Sequence, residues 1–154
     1  ALEYTALALA NVYGPRQDPH GEAGVVAIFA GRLLRGEQCR IFGDGAQTRD
    51  YVFVDDVVDA CVRATTRGSG LTCNIGTGVE TSVNGLYSTM AANAGVQTEP
   101  EYAPARTGEL ERSALDAGRA RIHLGWEPFT YLTSGTAAVL DWFSQQPEQV
   151  GESG

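Results

Sequence analysis

Residues 43–56 read Gly43-Asp44-Gly45-Ala46-Gln47-Thr48-Arg49-Asp50-Tyr51-Val52-Phe53-Val54-Asp55-Asp56. The stretch holds a turn, a strand and the start of a helix. Gly43-Asp44-Gly45 is turn chemistry, because glycine takes positive φ freely and aspartate bonds its own backbone. Residues 50–54 alternate enough for a strand. Asp55 or Asp56 then caps a helix that runs through Thr66, with Val57, Val58, Cys61 and Val62 on one face.

The same alternation extends in both directions. Upstream, residues 2–12 read as a buried strand and residues 13–24 as a loop rich in turn residues. Residues 24–35 form an amphipathic helix whose stripe is Val25, Ile28, Phe29, Leu33 and Leu34, stopped by Gly36. A short strand covers 38–42. Downstream come a strand at 71–75, a turn at Gly76-Thr77-Gly78, and a helix from Ser82 to Asn93. Gly85 stands where a capping box would place Glu, at a cost of about 1 kcal/mol. Asp116 caps a short helix ending at Leu124-Gly125. Thr133 or Ser134 starts a last helix to about Gln146, and residues 147–154 read as frayed. Alternating strands and helices define an α/β protein with some parallel pairing. With no linker and no repeat, residues 1–154 read as one domain.

Composition narrows the function classes. Net charge is -8, and the eleven basic residues, all arginines, are scattered. That argues against a nucleic-acid or anionic-membrane surface and points to single cations acting in a pocket. No apolar run approaches the roughly 18 residues of a membrane span. Residues 1–10 lack the basic region of a signal peptide. The first residue is Ala and the sole methionine is Met90, so a processed chain or part of a longer reading frame is expected. Cys39, Cys61 and Cys73 stand far apart, which reads as reduced, buried thiols of a cytoplasmic protein. His20 and His123 are isolated, and no metal site is expected. No glycine-rich phosphate loop is present.

Three groups of residues carry candidate chemistry. Asn11 ends a strand beside a loop; its amide suits a phosphate oxygen or a sugar hydroxyl, or simply caps a turn. Arg49 and Tyr51 flank Asp50 and so face one side of a strand. A guanidinium fork holds two phosphate oxygens and a phenol adds a further bond, unless Arg49 merely pairs with Asp50 or Asp44. Arg106 and Glu109 stand three apart in Arg106-Thr107-Gly108-Glu109, as a second cation with its hydrogen-bonding carboxylate or as an ion pair on a solvated turn.

Taken together, Asn11-Val12-Tyr13-Gly14-Pro15-Arg16-Gln17, the 43–56 segment, Asn74 to Gly78, and Arg106 to Glu109 resemble the NAD-dependent epimerase/dehydratase family of extended short-chain dehydrogenases/reductases. The likeness covers residues 3–145. The Arg106–Glu109 tail with Leu124-Gly125-Trp126 is similar to that of its UDP-sugar 4-epimerases.

The resemblance implies the carboxy-terminal portion of that fold: the last strands of the Rossmann sheet plus a small α/β substrate-binding lobe. The NAD-binding half would lie outside this chain and act as its partner. It implies a UDP-sugar ligand. Arg49, Tyr51 and Arg106 would hold phosphates and Asn11 a phosphate or hydroxyl. Glu109 would meet the ribose or orient an arginine. Arg40 and Phe42 would line the base, with Phe42 as an apolar wall and the backbone as hydrogen-bond partner, or Phe42 is plain core. Val25 and Val26 match positions whose backbone approaches the nucleotide sugar and Val83 an apolar position lining the pocket, while core packing is the default reading for all three valines. Leu9 and Ala10 would touch the cofactor, NAD, in the complete enzyme; none is expected for this chain alone.

Two departures are visible. Ala8 and Leu9 replace an Arg-Tyr pair, and Ser113 stands where some epimerases have tyrosine. The family reaction needs a Tyr-x-x-x-Lys pair, and this chain has no lysine. It is therefore expected to bind rather than react. The other readings are a free-standing nucleotide-sugar-binding module, a subunit completed by another chain, and part of a related dehydratase or decarboxylase.

Overall fold

The structure, a computed structural model, describes residues 2–20 and 24–146. The region read as frayed, 147–154, lies outside the described residues.

The first strand of the sequence reading is two strands. β1 (Ala6–Leu9) pairs in parallel with β6 (Thr72–Ile75), and β2 (Asn11–Tyr13) pairs in parallel with β5 (Tyr51–Phe53). The chain changes partner at one residue: the Ala10 N–H donates to the Ile75 carbonyl, the Asn11 N–H to the Asp50 carbonyl. The expectation of a buried strand is corrected for β1, where Leu9 is 47% exposed. Tyr13, expected in the loop, is strand and buried.

β3 (Arg40–Phe42) runs parallel to β8 (Glu101–Ala103), and β4 (Thr48–Arg49) antiparallel to β7 (Thr81–Ser82). β4, β7 and β8 are two or three residues long, too short to show a period of two.

Strand alternation divides the core. Tyr51 and Phe53 of β5 face a cluster built from α1 (Val25–Leu34), α3 (Val83–Ala94) and α5 (Leu132–Ser144), with Phe29, Leu86, Met90 and Val139 at its centre. Val52 faces the other way, into a cluster with Cys73, Ile75, Leu124 and Trp126 beneath α2 (Val54–Ala64) and α4 (Gly118–Leu124). A strand whose two faces are both covered is the pattern of a parallel α/β sheet.

The helix ends follow local chemistry. α1 stops in a Schellman motif: Gly36 takes φ 68°, its N–H donates to the Leu33 carbonyl, and the Glu37 N–H donates to the Arg32 carbonyl. Leu34, placed on the apolar stripe, is 42% exposed. α3 is capped by Ser82, whose hydroxyl accepts from the Gly85 N–H at 3.0 Å; the cap forms without the Glu.

Two readings of α2 are corrected. Its cap residue is Phe53, not Asp55 or Asp56. Asp56 is fully buried and accepts instead from the Phe129 and Thr130 N–H groups and the Thr130 hydroxyl. The apolar face also splits. Val57 and Ala60 enter the core, while Val58 (54%), Val62 (63%) and Cys61 are exposed, because neighbours one position apart point about 100° away from each other. Cys61 is thus not one of the buried thiols. Asp116 does serve α4, accepting from the Gly118 N–H, although Ala117 is the cap residue.

Candidate functional site

Parallel pairing of β2 with β5 sets Asn11 beside Tyr51. Parallel pairing of β3 with β8 sets Phe42 beside Ala103, where the chain leaves the strand and runs without helix or strand from 104 to 117. These elements and the outer face of α1 enclose a cavity of about 420 Å³. Asn11, Val25, Arg40, Phe42, Arg49, Tyr51, Val83, Arg106 and Glu109 line it, joined by Ile28, Phe29, Arg32, Ile41 and Gln47.

Val26 is not among them. It is 2% exposed within the core beside Phe29 and Ala30, because one step along α1 from Val25 turns the side chain away from the cavity. Leu9 and Ala10 also lie apart from the lining, at the junction of β1 and β2.

The cations differ in how they are held. The Arg49 guanidinium donates to the Thr48 and Leu110 carbonyls, both at 2.7 Å, and meets the Glu109 carboxylate at 3.5 Å. Its partner is therefore Glu109, not Asp50 or Asp44. Arg106 makes no ion pair with Glu109; its guanidinium carbon sits 3.9 Å from the centroid of the Phe42 ring, a cation–π contact. Arg40 pairs with Glu101 at 3.2 Å, with both side chains half exposed. Arg32 donates to the Gln38 carbonyl at 2.9 Å. Four guanidiniums around one cavity make a locally positive site in a chain of net charge -8.

The Tyr51 phenol is buried, and burial pushes its pKa up to about 12, with the Glu109 charge adding to the rise and Arg49 opposing it. It is a neutral donor at ordinary pH. Beneath it Tyr13 is held further up, by burial first and then by the Asp56 charge. Its ring meets Tyr51 and Phe53 edge-on.

Sequence reasoning missed Arg32 and Gln47. Arg32 was within reach: it stands seven residues after Val25, and Val25, Ile28, Phe29 and Arg32 share one helix face. Gln47 lies inside the 43–56 stretch; its amide donates to the Phe42 carbonyl at 2.9 Å and so ties the turn to β3. Among the described residues no group of His, Cys, Asp and Glu could hold a metal, and no helix is long and apolar enough to cross a membrane.

Parallel strand pairs covered by helices, with an arginine-lined cavity at the edge of β2 and β5, define an α/β protein with a pocket suited to an anionic ligand. Comparison with known proteins agrees. The profile of the NAD dependent epimerase/dehydratase family matches residues 1–76. The UDP-glucose 4-epimerase of Mycolicibacterium smegmatis is 55% identical over 148 residues, covering 96% of this chain and 47% of that protein. The crystal structure of Thermotoga maritima UDP-glucose 4-epimerase with UDP-glucose superposes with a TM-score of 0.91 at 51% identity, over 93% of this chain and 46% of that one. The Thermus thermophilus UDP-glucose 4-epimerase complex with NAD gives 0.84 at 40% identity, over 94% and 47%. The chain belongs to the NAD-dependent epimerase/dehydratase family. It spans about half the length of these relatives.

Proposed function

We propose that this chain is the UDP-sugar-binding part of an NAD-dependent UDP-glucose/UDP-galactose 4-epimerase. One observation carries the reading: Arg49 and Arg106, 57 residues apart in sequence, line one cavity together with Asn11, Tyr51 and the Phe42 ring. Two guanidiniums suit a diphosphate, each able to hold two oxygens. Asn11 and Tyr51 add neutral donors for a phosphate or sugar oxygen. Phe42, Val25 and Val83 supply an apolar wall for a base, and Glu109 is an acceptor for hydroxyls. The named ligand of the Thermotoga maritima relative, UDP-glucose, has all of these groups.

NAD serves the whole protein as the hydride carrier in this reading. This chain has no lysine for a Tyr-x-x-x-Lys pair and no glycine-rich phosphate loop. Most of the cofactor site therefore belongs to other residues of the whole protein. In this reading Leu9 and Ala10 would touch NAD in the whole protein; half-exposed Leu9, at the end of a parallel strand, supports it. This chain's own work is to bind and orient the nucleotide sugar, and it is inert alone.

Calorimetric titration of this chain with UDP and with UDP-glucose tests the reading. Saturable binding of both is expected, with most of the affinity retained by UDP. Absence of saturation by either ligand at millimolar concentration would overturn it. The whole protein is expected to interconvert UDP-galactose and UDP-glucose.

A further inference from the structure

Asp50 sits between two cavity residues, Arg49 and Tyr51, yet its own side chain faces the opposite way and is 1% exposed. Its carboxylate accepts four hydrogen bonds. Oδ1 takes the Thr77 N–H at 2.9 Å and the Thr77 hydroxyl at 2.6 Å; Oδ2 takes the Gly78 N–H at 3.0 Å and the Leu115 N–H at 3.2 Å. That uses the lone pairs a carboxylate offers. Its carbonyl accepts from the Asn11 N–H at 2.9 Å. One residue thus joins β2, the turn after β6, and the irregular segment 104–117.

The last connection bears on the cavity. Segment 104–117 brings Arg106 and Glu109 to the site but has no helix or strand pairing to hold it. Such a segment opens easily unless outside groups fasten it. Three consecutive residues do so: the Thr48 N–H donates to the Glu111 carbonyl at 2.9 Å, Arg49 donates to the Leu110 carbonyl, and Asp50 accepts from the Leu115 N–H. Of the three, Asp50 alone is buried. The fit around it is tight. A Cβ at Gly76 would lie 2.5 Å from Asp50 Oδ2 and 3.1 Å from the Leu115 Cβ.

We propose that Asp50 is a positioning residue: it touches no ligand, and it holds segment 104–117 beside the cavity so that Arg106 and Glu109 meet the nucleotide sugar. The identity of that ligand rests on the function proposed above; the positioning does not.

Two variants of this chain test the assignment, with UDP as the calorimetric probe and amide hydrogen exchange as the second readout. Asp50→Asn turns one acceptor into a donor facing N–H groups. Gly76→Ala pushes on the same joint with the carboxylate intact. Asp50→Asn is expected to weaken UDP binding about tenfold or more, the scale of a lost charged hydrogen bond. Gly76→Ala shifts it the same way by less. Exchange of amides 106–115 quickens in both variants while α3 and α5 keep their protection. In an Arg106→Ala background Asp50→Asn costs less affinity than in wild type, because part of its effect runs through that arginine.

Unchanged affinity, a loss fully additive with Arg106→Ala, or uniformly faster exchange would each overturn the proposal. If Asp50→Asn does not fold, Gly76→Ala carries the same three readouts. If wild type binds no UDP, the ligand reading falls and exchange decides: selective loosening of 106–115 supports positioning, and unchanged exchange overturns it.

Discussion

The two arginines of the cavity come from opposite kinds of structure. Arg49 lies on β4, its side chain 17% exposed, with two carbonyls and Glu109 around the guanidinium. Arg106 lies on a segment without secondary structure and rests on the Phe42 ring. The first is fixed before any ligand arrives and helps to hold the second's segment in place. The second is free to re-aim at modest cost, since an exposed cation–π contact contributes only about 0.5–1 kcal/mol. One wall of the cavity is preorganised and the other is adjustable.

Removing the fixed arginine is expected to give the largest effect. Arg49→Ala should weaken UDP binding by about 1.5–3 kcal/mol and also lower stability by about 1 kcal/mol, since it strips the Leu110 carbonyl and Glu109 of their donor. Calorimetry and thermal melts report the two losses separately. Arg106→Ala should show a loss of affinity on the same scale with stability lowered by only about 0.5 kcal/mol, the low end for an exposed cation–π contact. Equal melting losses in the two variants would erase the contrast between the walls.

Gly135→Ala strikes the fixed wall from behind. Its Cβ would collide with the Tyr13 hydroxyl, beneath Tyr51. Overpacking of this kind costs about 1–3 kcal/mol, seen as a lower Tm, with Arg106 unaffected. An unchanged Tm would show that the wall yields.

The last effect is on pH dependence and shows only above pH 10. The Tyr51 pKa is raised from 10.0 to about 12 in the folded chain, so its contribution is fully present below pH 10 and lost as pH rises from 10 through 12. Tm should fall over that window, and Tyr51→Phe should flatten part of the fall. Tyr13, raised for the same reason, retains the rest. Identical profiles for wild type and Tyr51→Phe would show that burial of this phenol does not couple to folding.

Much of the arrangement was legible because it is local. Gly36 and Ser82 declare helix ends through φ and a hydroxyl, which need no distant partner. The cavity residues were legible through motif likeness, and nine of the ten named substrate residues line it. The Val26 side chain packs in the core, the default reading for the valines, because likeness gives a position but not a helix phase. Asp56 was misread as a cap because a carboxylate at a helix start looks the same whether it serves its own helix or, as here, the backbone of Phe129 and Thr130. β7 and β8 were invisible, since two or three residues carry no period.

By itself, the sequence determined the order of the five described helices and the alternation of strands with them, the scatter of arginines without lysine, and the family, because hydrophobic period, turn chemistry and motif spacing are properties of neighbours in the chain. Tertiary structure alone decided that β1 and β2 are separate strands. It also decided that Glu109 partners Arg49 while Arg106 lies on Phe42, and that Asp50 fastens a segment 65 residues away. Those contacts join groups whose separation in sequence says nothing of their distance, so only the folded chain could choose among the partners each had.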